Sequence, residues 1–296
     1  MGVRPVPRVR SHKRLLHDLK RNLVHPLEQL RYVARGWEST DDLPMAEVAQ
    51  VLAELAEESP ATLLHACRRL IEYFPASGRL WWLSARALSA PEPVSGIWEA
   101  ADELLEDPTG KRLAEALPAG AGVSLLGPAS EAAMSVLRRR RAREGGVPKK
   151  TANKNRGHDR SPRGPDQSPR GPDRSPRGQE RERGGPEREN RGPDVLVVSA
   201  LAAGPGALLL DAAVARQVPG LVGRERTVWA VVPRGTVLPE ALWHQLLTRA
   251  RGAAGVETLS PECFSALAGP NGLEDAADIL SSPTCPPVAE LLGWRS

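Results

Sequence analysis

The stretch Val197–Gly206, VVSALAAGPG, runs a short apolar segment into the turn Gly204-Pro205-Gly206. A strand ending in a glycine turn at a helix start is where α/β proteins usually bring backbone N–H groups to an anion. Ala207-Leu208-Leu209-Leu210 reads as the opening of that helix. No residue from Val197 to Leu210 can ionise and only Ser199 carries a polar side chain, so the chemistry expected of this turn is main-chain anion binding alone. Pro205 removes one donor and the pattern is not G-x-G-x-x-G, which argues against a dinucleotide. Gly127 and Ser130, in GVSLLGPAS, and Arg234, after TVWAVVP, would line the same carboxyl edge. With Gly204 and Gly206 they are the candidate ligand-binding residues. A turn with a purely structural job is the competing reading.

Other reactive residue types carry less. Cys67, Cys263 and Cys285 are widely spaced, with no C-x-x-C and no nearby His pair. That argues against a zinc site and a secreted disulfide framework, and for small apolar residues in a reduced cytoplasm. His65 and His244 fall in amphipathic segments far from each other and from any acid pattern, and read as structural. Trp81-Trp82 resembles a base-stacking platform only superficially. Neighbours on a helix face about 100° apart, so one is expected in the core and the other at an interface or partly exposed. No catalytic residue, metal site or cofactor is expected.

Charge is strongly segregated. Residues 1–35 hold nine Lys/Arg against two acids, and residues 138–193 hold eighteen against eight. The whole chain has 40 basic and 36 acidic residues, which leaves thirteen against twenty-six elsewhere: an acidic body with two basic segments. The second segment contains SPRGPDQ, SPRGPDR and SPRGQER in succession, and after Val147 it has no Ile, Leu, Val, Met or aromatic residue until Val195. Such composition cannot offset its ordering entropy, so disorder is expected there. Its Arg-Gly content gives Arg138, Arg139, Arg140, Arg141, Arg163, Arg170 and Arg177 as candidate nucleic-acid contacts, through weak, sequence-independent attraction to RNA phosphate. The interspersed acids and missing aromatics favour a solvated spacer instead. No N-terminal apolar leader and no run of 18 apolar residues is seen, so a soluble cytoplasmic protein without a membrane is expected.

The elements that must position these residues alternate in texture. Residues 1–25 read as a basic flexible N-terminus, with a short basic helix over Lys13–Leu23. Residues 26–118 read as a helical subdomain, from PLEQLRYVARGW, MAEVAQVLAELAEE, ATLLHACRRLIEYF, GRLWWLSARALSA and GIWEAADELLED. Residues 119–141 form a first β-turn-α unit, 142–193 the disordered linker, and 194–296 the remainder of the α/β domain with its tail. DVLVVSALAAGPGALLLDAAVARQV and TVWAVVPRGTVLPEALWHQLLTRA supply a second and third unit, and GVETLSP a last short strand. The fold class is α/β: a helical subdomain followed by a truncated Rossmann-like parallel sheet with flanking helices, three or four strands wide. The tail from Asn271 is Pro-broken and expected to wrap the surface.

These units resemble the C-terminal half of a family comprising the regulatory (α, β and δ) subunits of translation initiation factor 2B, methylthioribose-1-phosphate isomerase and ribose-1,5-bisphosphate isomerase. The run Asp194–Arg234 carries the resemblance, in VVSALAAGPGALLLDAAVA and RTVWAVVP, as do the preceding helical domain and the unit at Val123–Leu137. The resemblance implies a Cys in the first loop and an Asp at the end of the later strand as acid/base partners in the isomerases, and a polar Asn-Lys pair beyond. Here the first loop is LLGPASEAA, the Asp position falls on Leu201, and the pair on Leu209-Leu210. A leucine can neither move a proton nor donate to a phosphate. The Arg-rich composition, 34 Arg against 6 Lys, fits a divergent bacterial, actinobacterial-type member lacking the catalytic residues.

The function expected is therefore that of a pseudoenzyme: a non-catalytic, initiation-factor-2B-like binding or regulatory protein acting through protein–protein surfaces. Its expected partner is a second copy or another protein, because a truncated sheet with leucine-rich helices over Ala207–Val214 would leave apolar surface uncovered. One alternative is an isomerase-like enzyme with an altered sugar-phosphate or nucleotide site. Another is an RNA- or ribosome-associated protein using the basic segments.

Overall fold

A computed structural model describes residues 44–119, 121–127, 133–136, 138, 195–221, 227–251 and 255–294. The basic N-terminus, the helix expected within 26–37, Ser130 and residues 139–194 lie outside the described residues.

The helical layer follows the apolar spacing. Helix α1 (Met45–Glu58) buries Met45, Val48, Val51, Leu52 and Leu55, an i, i+3, i+4 stripe. Ser59 takes an extended conformation, and its side chain accepts from the Thr62 amide to cap α2 (Pro60–Tyr73), with Pro60 at the first helical position. Ser77 caps α3 (Gly78–Ser89) in the same way, and α4 (Pro93–Leu105) follows. Helices α2 and α4 pack around α3, so Trp81 and Trp82 are both fully shielded from solvent. This corrects the expectation that one of them would reach an interface. Each satisfies its indole N–H internally, Trp81 on the Pro75 carbonyl at 3.0 Å and Trp82 on the Thr284 hydroxyl at 2.8 Å. A fifth helix, α5 (Thr109–Ala116), is not expected from the sequence and packs on the sheet rather than on the helices.

The main sheet has five strands. Strands β1 (Val123–Leu125), β2 (Val195–Ser199), β5 (Thr227–Val231) and β7 (Ala266–Gly269) lie side by side in that order and are parallel. Strand β8 (Gly272–Glu274) returns antiparallel to β7 at the edge. Alternation divides the two faces. Leu196, Val198, Val228, Ala230 and Leu267 enter one core with Val214, Ala215 and Val218 of α6 (Ala212–Leu221). Val195, Val197, Trp229 and Val231 enter another, with Leu113 of α5 and with Ala133 and Val136.

Three expectations are corrected here. Ala207–Leu210 is not a helix: it belongs to strand β4 (Ala207–Asp211), which forms a hairpin with β3 (Ala202–Gly204) and pairs on its other side with β6 (Val256–Leu259). A four-residue apolar run fits either period, and here the alternation wins. Leu208 and Leu210 enter the sheet core, and Leu209 the helical core. Pro205 and Gly206, the latter at φ 72°, make the turn, and this pairing of Pro with a left-handed Gly fits type II. Second, the sheet is five strands wide, because the short segments ALAG and GLE carry too little periodicity to be read as strands. Third, the apolar surface expected to be uncovered is covered: every residue of β2 is buried, as are Leu208–Leu210, Val214 and Ala215.

The tail is also more than a wrap. It supplies β8, helix α8 (Ala276–Leu280) and the core residues Cys285, Val288 and Leu291. Trp294 closes it, with the Arg249 guanidinium of α7 (Glu240–Ala250) 3.5 Å from its ring centroid and donating to its carbonyl at 2.6 Å. No helix among the described residues is long and apolar enough to cross a membrane.

Candidate functional site

The carboxyl edge of the parallel strands holds Gly127 after β1, Ala200-Leu201 after β2, and Arg234 beyond β5. The main-chain groups of Leu201 and Ala203 at this edge are bonded within the protein. The Leu201 N–H donates to the Leu209 carbonyl, and the Leu201 carbonyl accepts from Gly78 at the start of α3, both at 2.9 Å. Ala203 is bonded on both sides, to Thr236 and to Leu238. A ligand relying on these amides and carbonyls would have to displace native hydrogen bonds.

The glycines have packing roles. A Cβ on Gly204 would lie 2.3 Å from the Trp243 ring of α7. A Cβ on Gly127, itself at φ 81°, would lie 2.1 Å from a Val214 methyl. A Cβ on Gly206 would have nothing within 4 Å, and the positive φ of this residue serves the hairpin turn. Gly204 and Gly206 therefore sit in a β-hairpin, and the helix starts only at Ala212, after β4. There the Asp211 carboxylate accepts from the Ala213 and Val214 amides at 2.8 and 3.2 Å. The chain supplies its own anion to that N-terminus, which disfavours a second one. Replacing Gly204 by valine is expected to force the Trp243 ring aside and cost about 1–3 kcal/mol, measured as a lowered urea midpoint.

Arg234 does point to a charged cluster. Its Nη1 lies 3.7 Å from Glu103 Oε2 on α4, and Glu103 Oε1 accepts from Arg86 of α3 at 2.8 Å. The Arg234 backbone N–H donates to Asp107 Oδ2 at 3.1 Å, while Asp107 Oδ1 accepts from the Thr109 N–H and hydroxyl. Arg86 lies over the Trp82 ring at 5.5 Å. Both guanidinium groups pair with the single Glu103 carboxylate, while the Asp107 carboxylate is taken by main-chain and hydroxyl donors. The side chains of its ion pairs are about one-third exposed, and each pair contributes on the order of 0–1 kcal/mol. Asp107 does more: Oδ1 accepts from Thr109 at the start of α5 and Oδ2 from the Arg234 N–H, so one carboxylate ties α5 to the loop after β5. Arg86, Glu103 and Asp107 lie on separate elements and give no joint signal in the sequence.

Arg138 is exposed, and Arg139, Arg140, Arg141, Arg163, Arg170, Arg177 and Ser130 lie outside the described residues. His65 and His244 are exposed on separate helices. Among the described residues no three metal-ligating side chains cluster. All three cysteines are free, and burial pushes the Cys67 and Cys285 thiols up to about 12. The sign follows from the raised folded value: stability is complete below the ordinary thiol pKa near 9 and falls as pH rises toward 12. Urea melts from about pH 8 to about pH 10.5 are expected to show a steeper loss in the native chain than in a Cys67→Ala/Cys285→Ala variant.

No family model and no curated protein matches the chain. Among solved structures, the chain is similar to the tetrameric eIF2B-beta2-delta2 complex from C. thermophilum, at 13% identity and TM-score 0.54, over 84% of this chain and 90% of that one. It is similar also to eIF2B beta from Chaetomium thermophilum, at 12% identity and TM-score 0.51, over 84% and 87%. At such identity the likeness is one of fold, an α/β architecture with a mostly parallel central sheet flanked by helices.

Proposed function

We propose that this chain is a non-catalytic cytoplasmic binding or regulatory protein that acts through protein–protein surfaces, in the manner of initiation-factor-2B regulatory subunits. The observation that carries this reading is the use of the carboxyl edge for packing. Leu209 and Leu210 fill cores where a ligand-facing polar pair would stand, both main-chain groups of Leu201 are bonded, and Arg234 shares the Glu103 carboxylate with Arg86. The carboxylates near this edge, Glu103 and Asp107, are engaged by Arg86, Arg234 and Thr109. One similar structure is a tetramer built from two kinds of chain, and we extend assembly to this protein, with a second copy or another protein chain as the partner.

Light scattering on the purified full chain tests the assembly element. The expected result is a mass at least twice the 31.9 kDa of one chain, or a stoichiometric complex with a co-purified protein. A mass of one chain at every concentration, with no stoichiometric partner recovered, contradicts it.

A further inference from the structure

Helix α4 presents two unlike flanks. One is tied inward by Glu103, through Arg86 and Arg234. The other leaves Trp98 43% and Leu105 64% exposed, two of the four large hydrophobics so exposed among the described residues. These two are seven residues apart, so they lie almost directly above one another about 10 Å apart along the helix. Glu99 and Glu106 form a parallel row with the same spacing, with Glu92 and Asp102 beside them, all exposed. Among the described residues no basic side chain pairs with any of these four carboxylates. A helix face that shows an apolar row next to an unpaired acidic row is complementary to a basic amphipathic segment.

The chain contains such a segment. KRLLHDLKRNL, Lys13–Leu23, holds Leu16 and Leu23 seven apart, with Leu19 between, and Lys13 and Lys20 seven apart. Wound as a helix, it would set an apolar row beside a basic one, at the same repeat as Trp98/Leu105 and Glu99/Glu106. The tether is long enough. Twenty-one residue steps separate Leu23 from Pro44, a span of up to roughly 70 Å. Helix α1, which begins at the next residue, packs directly on α4, and α4 is only about 20 Å long.

We propose that Lys13–Leu23 docks on the Trp98/Leu105 face of α4 within the same chain, with Lys13 and Lys20 against Glu99 and Glu106. Tethering keeps the segment at high effective concentration, so modest contact area suffices. The occupancy of this face then depends on salt, and any partner of α4 must compete with the chain's own N-terminus.

Zero-length amine–carboxylate cross-linking of the full chain, read by peptide mass spectrometry, tests this. The expected products join Lys13 or Lys20 to Glu99 or Glu106. In a mixture of isotope-labelled and unlabelled protein they form within single chains. Their yield is expected to fall roughly tenfold in a Trp98→Gln/Leu105→Gln variant that retains the native circular dichroism spectrum, because both apolar contacts are lost, and to fall again in high salt. Absence of these links, links only between differently labelled chains, or a yield unchanged in the variant would overturn the proposal. Links confined to different chains would assign the face to a second copy instead.

Discussion

Lysine at position 210 is expected to cost the chain its fold rather than restore a ligand site. If the polar pair expected from the sequence resemblance belonged at Leu209-Leu210, Leu209→Asn/Leu210→Lys would supply it by residue type. Leu210 is fully buried in the core between the sheet and α6, and Leu209 points the opposite way into the helical core. Deleting a buried leucine side chain alone costs about 2–5 kcal/mol. Burying an unpaired ammonium adds a desolvation penalty that the Val- and Leu-lined core cannot offset. We expect a loss of about 4 kcal/mol or more, which for a domain of this size is roughly a 10 °C fall in melting temperature. A melting temperature within about 2 °C of the native chain would mean that β4 is not packed on both faces as described.

Trp82→Ala is the second large expected effect. This ring is fully buried, lies under the Arg86 guanidinium, and approaches Gly235, where a Cβ would lie 3.4 Å from it. Its indole N–H donates to Thr284 at 2.8 Å. One side chain thus ties α3 to the loop after β5 and to the C-terminal segment. Truncation is expected to cost about 3–5 kcal/mol. Trp82→Phe keeps most of the packing and loses the hydrogen bond, for about 1 kcal/mol from that loss. Limited proteolysis separates the roles: Trp82→Ala should release the segment after Ser281 well before global unfolding, whereas simultaneous loss of all fragments would argue against a local tie.

The helical layer is readable in the sequence because α1 to α4 have long apolar stripes bounded by Ser or Pro. Strands β2 and β5 are readable because the apolar runs VLVVS and TVWAV are rich in valine, and β1 only because a Gly-Pro turn and a helical pattern follow it. The hairpin is not, because ALLL satisfies both periods and only its tertiary neighbours decide between them. Strands β7 and β8, at four and three residues, are too short to show a period at all. Of the candidate site, the departures at Leu201, Leu209 and Leu210 are legible as residue types. What replaces the chemistry is not, because Glu103, Asp107, Arg86 and Arg234 meet only after the helices pack against the sheet. Gly127 and Gly204 look like ligand turns for a related reason. Glycine marks any close approach, and here the approaching groups are Val214 and Trp243.

The central proposal is that the carboxyl edge of the sheet serves packing rather than the binding of a small molecule. A calorimetric thermal-shift screen of the full chain against sugar phosphates, nucleotides and inorganic phosphate tests it most directly. A ligand present at about a hundred times its dissociation constant would stabilise the fold by about 2.7 kcal/mol, a rise of roughly 5–10 °C. No shift above about 1 °C is expected for any of them. A reproducible rise for one compound, abolished by Arg234→Ala or Gly206→Asp, would contradict the claim.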